Sequence, residues 1–591
     1  MFKKWLAENK VSDFDFSGII YEKAANREFW GPKFKKEYIE QAEQYLGYEW
    51  PLIRAADYIA FDKEGDRKKQ ETPHFNKRTA LIALFLGEVL EYKGRFIPDI
   101  VDGVFNICEE SFWGLSAHTY QAKLPLGEHY IDLFVGETGS LISIILYVLR
   151  DELYNYWPEI IGQMEYNLAE RVVKPYIKYN DFWWMNCSNN WNPWVHSNIL
   201  TVFLLTQQNR DFFHKGIEKM FCEINSFYDV YSDDGGCDEG TSYWVHSGGA
   251  LFDFCDQLHR STNGKINFFN DDKIKAIGDY AYKAYIGNNY FVNFADGNCK
   301  GDPLWKPIFK SFGEQTDNLN LIGLSKENFG IQGNNPQAIS NSSVKESLAT
   351  VITNTTINNE NNLKLCENEL LPILHNAFAR EKKWYYAAKG GSNAENHNHN
   401  DVGSFMVFYD CNPVLVDPGC GVYTKQTFSE DRYKIWTMQS GWHNIPLING
   451  VEQPCGAEYY CDNFSFENKK CRISFKDAYE KEAKLKELIR EISISDNGVE
   501  ITDSFTFDSE NNTISEHFIT PLSVEIKENA IIIGGKYILS ANTYCEISTD
   551  KQVISGDEKL TLAWNADFMN RIILKMTAGN EKAVTLTLTN I

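Results

Sequence analysis

The chain is poor in paired cysteines: its 13 Cys in 591 residues are odd in number and scattered, with no CxxC among them. They read as free, mostly buried thiols, which excludes a disulfide-stapled scaffold and favours a reducing compartment. Long hydrophobic runs are also lacking. The longest, Ser140 to Leu149, is too short to cross a bilayer, so no membrane partner is expected. The opening MFKKWLAENKVSDFDF has neither the apolar core nor the small-residue cleavage site of a secretory leader. A cytoplasmic location is expected, with periplasm or exterior as the alternative for a chain whose leader has been removed. Basic residues are in deficit, 58 Lys and Arg against 81 Asp and Glu, giving a net charge of −23. Nucleic acid is excluded as a partner, because phosphate binding requires positive surface. An anionic glycan is not, since a narrow cleft is governed by local charge and screening acts over roughly 10 Å.

Aromatics, by contrast, are plentiful: 14% of the chain, with 15 Trp, 31 Tyr and 38 Phe. Most are expected to fill cores, but the excess suits sugar binding, where ring faces stack on pyranose C–H groups. The length requires at least two domains.

The first half reads as successive helices. Between Lys77 and Arg95, Leu81, Leu84, Phe85, Val89 and Leu90 recur at three- and four-residue spacings. Ile97–Trp113, Asp132–Leu153, Pro158–Lys178, Pro193–Gln207, Phe212–Tyr228, Ser247–Ser261 and Asp271–Ile286 repeat the pattern, with Gly, Pro or Asn breaks between them. Paired antiparallel helices of this length predict an all-α bundle, solenoid or toroid. Ser325–Ser343 reads as a linker, followed by one more helical stretch. From about residue 365 short β-type runs alternate with Gly, Asn and Asp turns. Trp384–Lys389, Ser404–Tyr409, Pro413–Asp417, Ile492–Ser495, Val499–Phe507, Leu560–Trp564 and Val584–Leu588 predict an antiparallel β domain. The expected division is residues 1–360 and 361–591.

Three clusters carry candidate chemistry. In NNWNPWVHSN (189–198), Asn192 reads as an N-cap with Pro193 at the first helical position, and His196 follows one turn later. A capped helix with a core histidine is the plain alternative to a catalytic role. In DDGGCDEGTSYWVHSGG (233–249), Gly and carboxylates form a loop leading into a helix around Tyr243. Glu239 is placed to cap or orient, and Tyr243 to act as an acid or base. In KGGSNAENHNHNDVGSF (389–405), two imidazoles and a carboxylate fall within five residues. An extended segment would point His397, His399 and Asp401 the same way. With Asp417 and His443 they make an N/N/O metal set, and spacing leaves open which of His397 and His399 binds.

The sequence resembles the heparinase II/III-like polysaccharide lyases, which include related alginate lyases. The similarity is carried by WYYAAKGGSNAENHNHNDVGSF, LVDPGCGVYTKQTFSEDRYKIWTMQSGWHNIPLING and the upstream NNWNPWVHSN and DEGTSYW. It implies an α+β multidomain chain, an N-terminal (α/α) toroid followed by a C-terminal antiparallel β-sheet or sandwich domain, with the active site in the cleft between them. It also implies Tyr243 as catalytic tyrosine, His397 and His196 as active-site histidines, and Asn192 or Asn190 as the group neutralising the substrate carboxylate. His399, Asp417 and His443 become ligands of a divalent metal, Zn2+ first, with Mn2+ and Ca2+ as alternatives.

The implied reaction is β-elimination on a uronic-acid-containing glycan, glycosaminoglycan first and alginate next, giving a 4,5-unsaturated uronate. Donors aimed at the uronate carboxylate stabilise the enolate-like intermediate, a base removes the C5 proton, and an acid protonates the departing O4. Tyr243 is the expected acid, and the base as well for syn geometry; His196 or His397 is the base for anti geometry. Glu239, Asn190, Arg432 and Tyr433 are expected to contact substrate, with Lys389 and Lys425 as further anion contacts and Trp436 as a stacking surface. Two rivals remain: a glycoside hydrolase using two of Asp233, Asp234, Asp238 and Glu239, and a non-catalytic glycan-binding protein. Monomer and homodimer are both open.

Overall fold

The computed structural model describes residues 1–119, 130–206, 209–330, 339–356, 363–527 and 530–591. Part of the expected linker, 331–338, lies outside the described residues. Two compact units are present. Unit 1 comprises Met1–Tyr231, Val245–Gly278 and Asp302–Asn362; unit 2 comprises Ser232–Trp244, Asp279–Gly301 and Leu363–Ile591. Two stretches from before residue 360, including the one with Tyr243, therefore belong with the β-rich unit.

Unit 1 is helical where apolar periodicity demands it. Its main helices are Lys68–Glu91, Ile97–Cys108, Leu133–Val148, Trp191–Thr206, Arg210–Val230 and Gly248–Ser261. The helix 191–206 packs against 133–148, 210–230 and 248–261, so it is buried on most sides. Two expected long helices are broken. Asp132–Leu153 divides at Leu149 into Leu133–Val148 and Arg150–Tyr156. Pro158–Lys178 carries one π-helical turn at Ala169–Val173, where Pro175 removes a backbone donor from the next turn. No single described helix is long and apolar enough to cross a membrane.

Unit 2 holds antiparallel sheets of eight, four and five strands. The eight-stranded sheet includes Leu485–Ser495, Gly498–Phe507 and Glu581–Asn590. The four-stranded sheet includes Asn512–Thr520 and Phe568–Ala578, and the five-stranded sheet includes Trp384–Lys389, Phe405–Tyr409 and Asn412–Leu415. Alternating Ile, Val, Leu and Phe from the strands make one buried core. Leu560–Trp564, read as a strand, is instead part of the helix Glu558–Trp564. Asp557 caps its start by accepting from Leu560 N, and left-handed Asn565 ends it. Local capping outweighs a five-residue apolar run.

A buried ion group fixes the loops that matter for function. Arg490 pairs with Asp503 at 2.8 and 2.5 Å and donates to the carbonyls of Gly403 (2.9 Å) and Asn444 (2.6 Å). Gly403 ends the HNHND loop and Asn444 follows His443, so one guanidinium ties both histidine-bearing loops to the sheet. The Asn444 amide adds bonds to the carbonyls of Phe405 and Val416, and its oxygen accepts from Ile519 N. At Gly403, φ is +88° and a Cβ would lie 2.6 Å from the Phe475 ring, so only glycine fits there.

Candidate active site

Unit 2 brings three of the predicted residues, and a fourth that was not predicted, around one carboxylate absent from the expected site. Asp296, in NFADGN, is fully buried. Its Oδ2 accepts from His397 Nδ1 and from the Tyr423 hydroxyl, both at 2.8 Å; its Oδ1 accepts from His399 Nε2 at 2.9 Å and Arg432 Nη2 at 3.0 Å. Burial alone would raise the Asp296 pKa. Hydrogen bonds from His397 and His399, with the charge of Arg432, outweigh it and hold the group well below the usual carboxylate range.

Tyr243 sits on the short helix Thr241–Trp244, which is fixed by Thr241 donating to the Val292 carbonyl and by Ser242 Oγ accepting from Asn298 N. The preceding Gly240 has φ +93°, and a Cβ there would meet the Phe294 carbonyl at 2.7 Å, so this helix can lie directly on the Asp296 segment only with glycine. The Tyr243 ring stacks on His397 at 4.2 Å, and its hydroxyl lies 2.6 Å from that of Tyr423. Burial pushes the Tyr243 pKa well up, and the Asp296 charge adds to it, so the phenol is protonated at neutral pH.

His397 does not lie in an extended strand. It takes a left-handed backbone, φ +55°, a strained conformation for a residue of this kind. The turn aims His397 and His399 at the two oxygens of Asp296, while Asp401 faces elsewhere and pairs with Lys389 Nζ at 2.6 Å. The expected common direction of His397, His399 and Asp401 is thus corrected. The ring of His397 is 21% exposed, and its Nε2 lies 3.5 Å from Glu239 Oε2.

His399, Asp417 and His443 converge, with ligand atoms within 4.8 Å of one another and all three side chains buried. Their hydrogen bonds fit a cation. His399 gives Nε2–H to Asp296, leaving Nδ1 as a buried lone pair with no partner among the described residues. His443 faces two acceptors, the Thr437 carbonyl from Nε2 at 3.1 Å and Asp417 Oδ2 from Nδ1 at 2.9 Å; with a cation present, Nε2–H would stay on Thr437 and the Nδ1 lone pair would turn to the ion. Two imidazole lone pairs and a carboxylate oxygen suit Zn2+. Asp296 and the Thr437 carbonyl then act as the outer partners that set each tautomer.

Other expectations are corrected by burial. His196 is fully buried in unit 1, with Nδ1 on the Asn192 carbonyl (2.7 Å) and Nε2 on Glu223 (3.0 Å), packed edge-on to Tyr176 and Trp184. Both ring nitrogens are occupied, so it is a core histidine and not a base. Asn192 is also buried. Its amide donates to the Met185 and Glu223 carbonyls, and it lies inside the helix, not at its cap, because the Asn190 carbonyl takes the first helical bond. Lys389 is buried between Asp401 and Glu395 and cannot meet an external anion. Arg432 is spent on Asp296 and the Asn398 and Thr427 carbonyls. Tyr433 hydrogen-bonds Asn398 at 3.4 Å, and Trp436 packs edge-on to Trp442. Asp234 is consumed by its loop, accepting from Gly236, Ile373 and Leu374 N, and Asp238 by Asn396. Those bonds disfavour the two-carboxylate arrangement of a hydrolase. Lys425 is exposed.

Asp296 and Tyr423 were within reach of the sequence. Each lies in a Gly-flanked run, NFADGN and GCGVYTK, but neither run has a metal-like or paired spacing.

No protein-family model and no curated protein matches the sequence. Solved structures do. Heparinase III is similar over 98% of this chain and 88% of that one, at 11% identity and a TM-score of 0.69. A mutant heparan sulfate lyase from Pedobacter heparinus covers 100% and 87%, at 13% identity and a TM-score of 0.60. A chondroitin AC lyase from Streptomyces coelicolor A3 covers 99% and 82%, at 10% identity and a TM-score of 0.51. The fold is therefore that of the heparinase-like polysaccharide lyases, with a helical N-terminal part and a β-rich C-terminal part.

Proposed function

We propose that this protein is a polysaccharide lyase that cleaves a uronate-containing glycan by β-elimination, glycosaminoglycan first and alginate next. The observation that carries the reading is the Tyr243–His397 stack, with His397 on Asp296 directly and Tyr243 joined to it through the Tyr423 hydroxyl. His397 donates Nδ1–H to Asp296, so the partly exposed Nε2 presents its lone pair as the base for the C5 proton. Asp296 and Glu239 on either side stabilise the imidazolium that results. Tyr243, held neutral by its surroundings, is the acid to the departing O4 and regains a proton through the 2.6 Å contact with Tyr423. Each such transfer is worth roughly 10²–10⁴-fold. With His196 in the core, His397 takes the base role in anti geometry.

Zn2+ held by His399, Asp417 and His443 would brace the loop carrying His397 and leave proton transfer to the side chains. Unit 1 itself carries a half-exposed aromatic array, Trp183 and Trp191 at 4.8 Å, then Trp191 and His118 at 4.9 Å, with Trp183 44% exposed, a kind of surface that stacks on sugar rings. The test is a panel of heparan sulfate, chondroitin, hyaluronan and alginate, followed by ultraviolet absorbance of the unsaturated uronate. Absorbance on at least one polymer or its oligomers is expected; none on any of them would end the lyase reading.

A further inference from the structure

Unit 1 contains a cavity of about 410 Å³, of a size that holds a small organic ligand. It is walled by the helices Trp191–Thr206, Gly248–Ser261, Lys306–Gln315 and Val344–Thr356 and by the segment 19–22. None of its residues enters the mechanism above. Its wall carries six carboxylates against three basic side chains, so a uronate or sulfate is disfavoured there.

Two observations point to a ligand. Glu137 is 5% exposed; its Oε1 accepts from Trp194 Nε1 at 2.8 Å, while Oε2 makes no well-formed hydrogen bond among the described residues and has only the nearby Ser342 hydroxyl to draw on. An unsatisfied buried carboxylate oxygen on a cavity wall calls for a donor. Beside it, Trp194 and His246 stack face to face at 4.0 Å, giving the wall a flat aromatic surface. The cavity already accommodates one alkylammonium, its own Lys345, whose Nζ sits 2.5 Å from Asp253 Oδ2 and 3.5 Å from Ser197 Oγ. A divalent metal fits less well. Asp253 is taken by Lys345 and Gln257, Asp256 by Arg260 and Gln315, Glu314 by Lys310 and Glu22 by Asn26, which leaves Glu137 and Glu346 for coordination.

We propose that this cavity binds an aliphatic diamine or polyamine, one ammonium on Glu137 and the alkyl chain along the Trp194–His246 stack. The ammonium supplies the missing donor, and the aromatic wall adds cation–π attraction. Glu346 supports the assignment. Burial and the neighbouring Glu137 charge raise its pKa to about 8, so amine binding near neutral pH should expel its proton.

The experiment is isothermal titration of the full chain with 1,5-diaminopentane and with spermidine, in two buffers of different ionisation enthalpy and in about 0.3 M salt. High salt suppresses loose binding to the acidic surface but not a buried contact. Saturable one-site binding with proton release is expected, weakened at least tenfold by Glu137→Gln, which keeps the Trp194 bond. If Glu137→Gln fails to fold, Glu346→Gln should bind the amine without releasing a proton. Absence of saturable binding in the wild type overturns the proposal, as does unchanged affinity in Glu137→Gln or undiminished proton release in Glu346→Gln.

Discussion

Replacing Asp296 with Asn keeps the shape and removes the charge on which the site turns. Oδ1 faces two donors, His399 Nε2 and Arg432 Nη2. Arginine has no acceptor, so the amide oxygen must take that position. The amide NH2 then faces His397 Nδ1 and the Tyr423 hydroxyl. His397 can accept it only by moving its own proton from Nδ1 to Nε2, the atom that must receive the C5 proton. Where a carboxylate-to-amide change inverts the tautomer of a catalytic histidine, turnover falls about 10⁴-fold, or about 5 kcal/mol. The assay is the initial rate of unsaturated-uronate absorbance against substrate concentration, with thermal melting in parallel. Turnover is expected to fall by roughly 10³-fold or more, with KM changed by less than about threefold, since no uniform binding is lost. Turnover within tenfold of wild type would refute the tautomer argument, even if the melting temperature dropped.

Tyr243→Phe should abolish the absorbance signal and leave melting unchanged; an active Phe variant would remove Tyr243 from the mechanism. Chelation should lower melting temperature and activity together, and elemental analysis should find one zinc per chain, lost in His443→Ala. Activity lost without any loss of stability would instead point to direct metal catalysis. Arg490→Ala strands Asp503 in the core and should cost about 3–5 kcal/mol, read as a lower denaturant midpoint; a change under about 1 kcal/mol would deny that the guanidinium fixes the loops. His517 has its pKa lowered by burial, with the Arg571 charge adding to it, to about 4. The unfolded chain therefore binds a proton near pH 6.5 that the folded chain refuses until about pH 4. Stability should fall by up to about 3 kcal/mol across that window on acidification, and His517→Gln should flatten the curve between those values.

Much of this was legible in the sequence because the periodicities are strong. Trp384–Lys389 matches its strand at both ends, and Ser247–Ser261 misses its helix by one residue. The convergence of His399, Asp417 and His443 was legible too, because the three lie in dense motifs. Three features escaped for physical reasons. The left-handed backbone at His397 is a departure at one residue, which an alternating pattern could not reveal. Asp296 is more than 100 residues from His397, and a lone Asp beside Gly reads as a turn. His196 stands in a motif that predicts an active-site histidine, yet Glu223 on the next helix satisfies its second nitrogen. The strand expected at Leu560–Trp564 failed because short apolar runs do not separate strand from helix; the Asp557 cap did.

The central claim, cleavage without water, can be tested directly. Digestion of a susceptible uronate glycan in heavy-oxygen water, followed by mass spectrometry of the products, separates elimination from hydrolysis. The account predicts non-reducing ends lighter by one water than a hydrolysis product and no heavy oxygen introduced by the cleavage at any new end. Saturated non-reducing ends, with heavy oxygen at C1 of the new reducing ends above the level set by spontaneous exchange, would contradict it.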